Sequence, residues 1–332
     1  MDPGVGRDLP PEMTNAIVEL CDRPTLFALM NTASTPRFFA RRMYFQRVTV
    51  RSREDANRLG DQRDIHCFIK ELRVFSCLSP FRTPVLVNVT TVRLRLGTTS
   101  GSTTDTCVAS FLSRFPNIRH LDICAGFGTV EALDRTLRGV AAALLSLRLQ
   151  FVVKAPRGSP PVDRAEFSRL RNVAITSALQ VPVLHLLQGY LKPCGENLTH
   201  LALPESLGWA EVVDVLKYAT ELEELTVEAI DDIFTYPLTE PPSLPKLRKI
   251  IFVVRQESPC DMDHWMCMKD FMFVAGSTRV LPSLVQVGVI VHGWQMQADL
   301  LCSDWDRALC KVMASRRPSV VHRTLSTPSS EL

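Results

Sequence analysis

Ten times along the chain an apolar residue is followed three and five positions later by two more. The triplets are Phe45/Val48/Val50, Ile69/Leu72/Val74, Val89/Val92/Leu94, Ile118/Leu121/Ile123, Leu144/Leu147/Leu149, Leu170/Val173/Ile175, Leu198/Leu201/Leu203, Leu222/Leu225/Val227, Leu247/Ile250/Phe252 and Leu284/Val287/Val289. Their starts lie 24, 20, 29, 26, 26, 28, 24, 25 and 37 residues apart. The alternation at the second and third positions is that of a short strand with one buried face. Between triplets the period lengthens to that of helices. Residues 103–115 set Val108, Phe111, Leu112 and Phe115 on one face; residues 129–140 do so with Val130, Leu133, Leu137 and Val140; residues 207–219 with Trp209, Val212, Val213 and Leu216. A strand plus a return segment, repeated every 20–30 residues or so, predicts turns stacked in one direction with parallel strands along one wall. Such a stack is mostly surface, which favours binding over catalysis.

The first forty-odd residues follow a different pattern. Leu9-Pro10-Pro11-Glu12 places prolines at a helix start, where the missing N–H is harmless, and an acid near the positive end of the dipole. Ile17 and Leu20 share a face of that helix. Asp22-Arg23-Pro24 ends it and begins a second, with Leu26, Leu29 and Met30; Ser34-Thr35-Pro36 breaks again before Phe38, Phe39 and Tyr44. Three short helices carry more apolar residues than so small a block can hide, which predicts an exposed apolar patch. The expected organisation is a leader (1–7), a helical block (8–45), repeats (46–291) interrupted by an insertion at 253–283, a capping helix (292–315) and a disordered Ser/Thr/Pro tail (316–332).

The front block resembles an F-box, in the divergent form that precedes leucine-rich repeats in many fungal proteins. The resemblance rests on Leu9, Pro10 and Glu12 at the opening, Ile17 and Leu20 in the first helix, Leu26 and Leu29 in the second, the small polar residues around Ser34, and Arg41-Arg42-Met43-Tyr44-Phe45. In that family these apolar positions contact the Skp-type adaptor of a cullin–RING (SCF-type) ubiquitin ligase. The tryptophan common late in the motif is absent, with Phe38 or Tyr44 as the nearest aromatics, and Asn31-Thr32-Ala33 stands where apolar residues are usual. The repeats resemble degenerate leucine-rich repeats. The position three after each triplet, Asn or Cys in that family, is Arg53, Cys77, Gly97, Gly126, Val152, Ala178, Ser206, Ile230, Arg255 and His292, so the family's buried asparagine ladder is expected to be missing. The resemblance implies an α/β leucine-rich-repeat-like solenoid, with short parallel strands on a concave face and helices on a convex one, behind a small all-α F-box-like block. It implies a substrate-recognition subunit, with a repeat scaffold unconnected to ubiquitin as the alternative.

Composition narrows the chemistry. Of 332 residues 46% are hydrophobic and 22% charged, as in folded proteins. A net charge of +3 does not suggest nucleic acid. No apolar run approaches the roughly 18 residues of a membrane span, and residues 1–12 lack the apolar core of a signal peptide. Ten cysteines scattered singly then point to a reducing compartment, cytoplasmic and/or nuclear. Cys260, His264 and Cys267 offer three local ligands where structural zinc takes four, so they are read as packing residues. No nucleophile–base arrangement is visible, and neither catalysis nor a cofactor is expected. The sequons at Asn88-Val89-Thr90 and Asn197-Leu198-Thr199 are read as coincidences.

Partner contacts are expected on the concave face. The residue between the second and third anchors gives the column Thr49, Arg73, Arg93, Asp122, Arg148, Ala174, Ala202, Thr226, Ile251 and Gly288. Flanking positions add Arg47, Arg51 and Arg95 in front, Glu224 and Glu228 behind, and Val253 and Ile290 at the end. Arg51, Arg73, Arg93, Arg95 and Arg148 are the candidate target-binding residues, receiving an acidic or phosphorylated segment of an unknown protein. Adjacent strands lie about 4.8 Å apart, near enough for Arg73 and Arg93 to fork onto one phosphate.

Overall fold

The computed structural model describes residues 9–32, 34–75, 85–96, 102–153, 166–177, 189–203, 209–229, 242–255, 281–292 and 323–325. Three helices open the chain: α1 (Pro11–Glu19), α2 (Arg23–Leu29) and α3 (Ser34–Tyr44). Eleven strands follow: β1 (Arg47–Val50), β2 (Glu71–Val74), β3 (Thr91–Arg95), β4 (His120–Phe127), β5 (Ser146–Val153), β6 (Asn172–Ser177), β7 (His200–Leu203), β8 (Glu224–Ala229), β9 (Lys249–Arg255), β10 (Gln286–His292) and β11 (Arg323–Leu325). Among them lie α4 (Arg53–Asp61), α5 (Ser102–Leu112), α6 (Val130–Arg138) and α7 (Trp209–Leu216). The strands form one sheet in chain order, every neighbouring pair parallel. This α/β arrangement is compatible with a solenoid-like fold.

Register follows the triplets. The second anchors Val48, Leu72, Val92, Leu121, Leu147, Val173, Leu201, Leu225, Ile250 and Val287 are successive partners across ten strands. Those from Leu72 to Ile250 are buried, as are the first anchors from Ile69 to Leu284. They share one core with Ala56 and Leu59 of α4, Val108, Phe111 and Leu112 of α5, Leu133 and Leu137 of α6, and Val212, Val213 and Leu216 of α7. The described helices thus cover one face of the sheet; among the described residues the other face is open.

Two devices hold successive turns together, and neither is the family's asparagine position. The first is backbone. The carbonyl just before each strand accepts from two consecutive N–H groups of the next turn, beginning with Gln46 (Lys70 and Glu71, both 3.0 Å) and continuing through Lys70, Thr90, Arg119, Leu145, Arg171, Thr199, Glu223 and Arg248. The second uses asparagines at the turn before a strand. Asn88 donates its side-chain amide to the Cys67 carbonyl at 2.9 Å, Asn117 to Val87 at 2.8 Å and Asn197 to Ser168 at 3.2 Å. Asn88 and Asn197 are the two sequon asparagines, and each links neighbouring turns.

A fourth anchor precedes the triplets by three residues: Leu86, Phe115, Ala141, Phe167, Ala219, Leu244 and Leu281, all buried. In six of these turns its carbonyl accepts from the first triplet residue, as Phe115 does from Ile118 at 3.3 Å, closing a tight turn into the strand. Gly195 is buried in one such entry, where a Cβ would meet the Tyr218 carbonyl oxygen at 1.8 Å. Helix α4 is started by a capping box, in which the Ser52 hydroxyl accepts from the Asp55 N–H and the Asp55 carboxylate from the Ser52 N–H. The same carboxylate accepts from the Arg51 N–H, which with the Ser52 contact holds its pKa below the ordinary aspartate value.

Arg323–Leu325, in the stretch read as a tail, pairs with β10 as an eleventh strand. The capping helix 292–315 lies almost wholly outside the described residues, as do most of the 253–283 insertion with Cys260, His264 and Cys267, and the rest of the tail. Five cysteines are described, all free: Cys21, Cys67, Cys107, Cys124 and Cys194. Cys124 is half-buried on the open face of β4, not in the core. Cys194 is buried, donates to the Tyr190 carbonyl, and burial pushes its thiol up to about 12. At about pH 8 iodoacetamide is therefore expected to alkylate exposed Cys67 in the native protein and spare Cys194 until denaturant is added. Equal labelling of the two, read by peptide mass, would contradict this packing.

Candidate functional site

Two surfaces stand out, one on the front helices and one on the open face of the sheet. The helices α1–α3 have a small core of their own, Val18, Leu26 and Ala40, flanked by Cys21, Leu29, Met30, Phe39, Met43 and Tyr44. Asp22 caps α2, accepting from the Thr25 N–H at 3.0 Å. Arg23 lies over the Tyr44 ring, 4.9 Å from its centroid. Edge-to-face packing of Phe38 on Phe68 (5.8 Å) and the Arg41–Asp64 ion pair tie α3 to the start of the sheet.

Helix α1 buries Thr14 and Val18 and turns its other side outward. Met13, Ile17 and Leu20, spaced four and three residues apart, fall on one side of the helix, Leu9 is exposed just before it, and Leu20 is 89% exposed. Phe27 of α2 is also exposed. Among the described residues, six of the ten exposed large hydrophobic side chains fall between Leu9 and Phe38. Of the adaptor candidates, Leu9, Pro10, Glu12, Ile17 and Leu20 are exposed, Leu29 is half-buried, and Leu26 belongs to the block's own core. Met13 and Phe27 are exposed apolar residues not among the candidates; the i, i+4 spacing from Met13 to Ile17 was the available signal for the first.

The open face carries the column Thr49, Arg73, Arg93, Asp122, Arg148, Ala174, Ala202, Thr226, Ile251 and Gly288 in register. Arg73 and Arg93 lie side by side as the strand positions require, and the anion between them is the chain's own Glu71. Its Oε1 accepts from Arg73 Nε at 2.8 Å and sits 3.0 Å from Arg93 Nε, and its Oε2 sits 3.3 Å from Arg47 Nε. Arg95 forks both carboxylate oxygens of Asp122 at 2.8 Å each. Arg148 is exposed and Arg51 likewise; neither side chain has a carboxylate partner among the described residues. Farther along, Glu224 accepts from Lys249 Nζ at 2.9 Å, with His200 Nε2 3.9 Å away.

Between the arginines and this second group the face dips. A depression of about 180 Å³ lies over β5–β8, with Ala174 and Ala202 as floor and Arg148, Asn172, His200 and Glu224 at its rim. It is smaller than the roughly 300–1,000 Å³ of small-molecule sites.

Among the described residues no three His, Cys, Asp or Glu side chains gather as a metal would need, and no helix is long and apolar enough to cross a membrane. Compared with protein-family models the chain matches none, and no curated protein is significantly similar to it.

Proposed function

We propose that the protein is a non-catalytic substrate-recruiting subunit of a cullin–RING ubiquitin ligase. The front helices would dock, as an F-box does, on a Skp-type adaptor, and the leucine-rich-repeat-like sheet would hold the target on its open face. The observation that carries this reading is the set of exposed apolar side chains Leu9, Met13, Ile17 and Leu20, which nothing covers among the described residues. Its mechanism is proximity: a held target presents its lysines to a charged conjugating enzyme at raised effective concentration, and no residue of this chain handles the bond. Such a role belongs in a reducing compartment, the cytoplasm or nucleus.

The test is a calorimetric titration with a Skp-type adaptor. The recruiting role predicts a complex, through an interface of about 1,200–2,000 Å², weakened by Leu9→Ala combined with Ile17→Ala. No heat of binding at tens of micromolar would favour a repeat scaffold whose front helices only shield the first strand.

A further inference from the structure

We infer that the depression over β5–β8 receives a single carboxylate side chain from an acidic, extended peptide segment of the recruited protein. The inference rests on the recruiting role for its biological meaning, but its chemistry is that of the open face alone.

Charge is the first support. The open face of β1–β5 presents Arg47, Arg73, Arg93, Arg95 and Arg148 against Glu71 and Asp122, five positive and two negative, a net of +3. That equals the net charge of the entire chain. Positive potential is therefore concentrated here, and an acidic partner is drawn to it.

The pairing pattern says where a new anion fits. Every arginine of β1–β3 on this face already holds a carboxylate: Arg47, Arg73 and Arg93 share Glu71, and Arg95 takes Asp122. Arg148, one strand further, breaks the pattern. On its far side the in-register position is Ala174, then Ala202, so the site where another acid would stand holds only methyl groups. The missing side chains are the depression itself, and an aspartate or glutamate from outside fills it. Its carboxylate would face the Arg148 guanidinium, with the Asn172 amide at the rim as a second donor.

The same features select against other anions. A phosphate dianion gathers several guanidiniums, whereas this rim offers one. A nucleic-acid backbone would pass over Glu71 and Asp122, both set among the arginines, and meet repulsion there.

The test uses the full-length chain and fluorescence anisotropy of a labelled peptide of alternating aspartate and alanine. Parallel arms carry phosphoserine in place of one aspartate, asparagine in place of all, and a single-stranded oligonucleotide. Expected are salt-sensitive binding of the acidic peptide, a loss of about tenfold or more in Arg148→Ala, and a similar loss in Ala174→Leu, which fills the depression and leaves the charge intact. Both positions lie on the open face, so folding should persist, as circular dichroism would show. Unchanged binding in both variants, no binding of the acidic peptide, equal binding of the asparagine peptide, or preference for the phosphopeptide or oligonucleotide would each overturn the inference. Adaptor titration of the same variants is expected to match wild type, so failure here and failure of the docking role are read separately.

Discussion

Replacing Ile17 and Leu20 together by aspartate is expected to weaken adaptor binding at least about 100-fold while leaving the thermal midpoint within a degree or two of wild type. Both halves come from the same geometry. Ile17 is about half exposed (48%) and Leu20 almost fully so, so neither contributes much to the block's own core, and a carboxylate there remains hydrated in the free protein. In a complex the same carboxylates would be desolvated against an apolar partner, a cost of several kcal/mol unless paired. Leu26→Asp provides the contrast. Leu26 packs with Val18 and Ala40, so that variant should disrupt the front helices and lower stability as well as binding. Unaltered affinity in the Ile17/Leu20 double variant would remove these two exposed side chains as the docking surface.

The second large effect concerns the stack itself. Phe115→Ala is expected to lower unfolding free energy by about 3–5 kcal/mol, measured by denaturant melts. Phe115 is fully buried, packs edge-on against Phe111 at 4.8 Å between ring centroids, and its carbonyl closes the turn that delivers Ile118 into β4. In a fold where each turn leans only on its neighbours, a hole at one entry loosens both flanking contacts. The alanine retains the turn's backbone hydrogen bond, so the loss measures packing. A change below about 1 kcal/mol would mean that the anchor three residues before each triplet is dispensable.

Much of this wall was readable from the sequence because burial and alternation coincide. With a side-chain period of two, a triplet such as Val92-Arg93-Leu94 specifies both which residues face the core and which face out. Aligning the triplets therefore aligned the open-face column from Thr49 to Gly288. Other features lacked such a signal. The anchors Leu86, Phe115, Leu244 and Leu281 stand outside the triplet spacing, although three of them share a Leu-Pro or Phe-Pro step into the turn. The arginine pairing was hidden because Glu71 occupies the neighbouring column, two residues from Arg73, and only strand register brings it to Arg93. Ala174 and Ala202 were legible as residues but not as a floor, since a depression is a property of what surrounds small side chains. Strand β11 contains only three residues within a polar stretch, too few to show a period.

In the front block, apolar spacing located the helices, but not which side each would bury. Leu26 and Ile17 are equivalent as letters. Packing against α3 takes Leu26 inward, whereas Ile17, one position before the buried Val18, stays about half exposed. Sequence alone offered both as contact residues.

The central claim is a wall of parallel strands standing in chain order, and distances between spin labels test it most directly. Labels paired between Thr49 and, in turn, Arg93, Arg148 and Ala202 span two, four and six strand steps. At about 4.8 Å per step the backbone separations should rise evenly, near 10, 19 and 29 Å, less a small correction for curvature. Pulsed electron–electron resonance should resolve the longer two, with the shortest read from line broadening. A series that fails to grow along the chain, as scattered strands or strands in another order would produce, contradicts the architecture and with it the recruiting face.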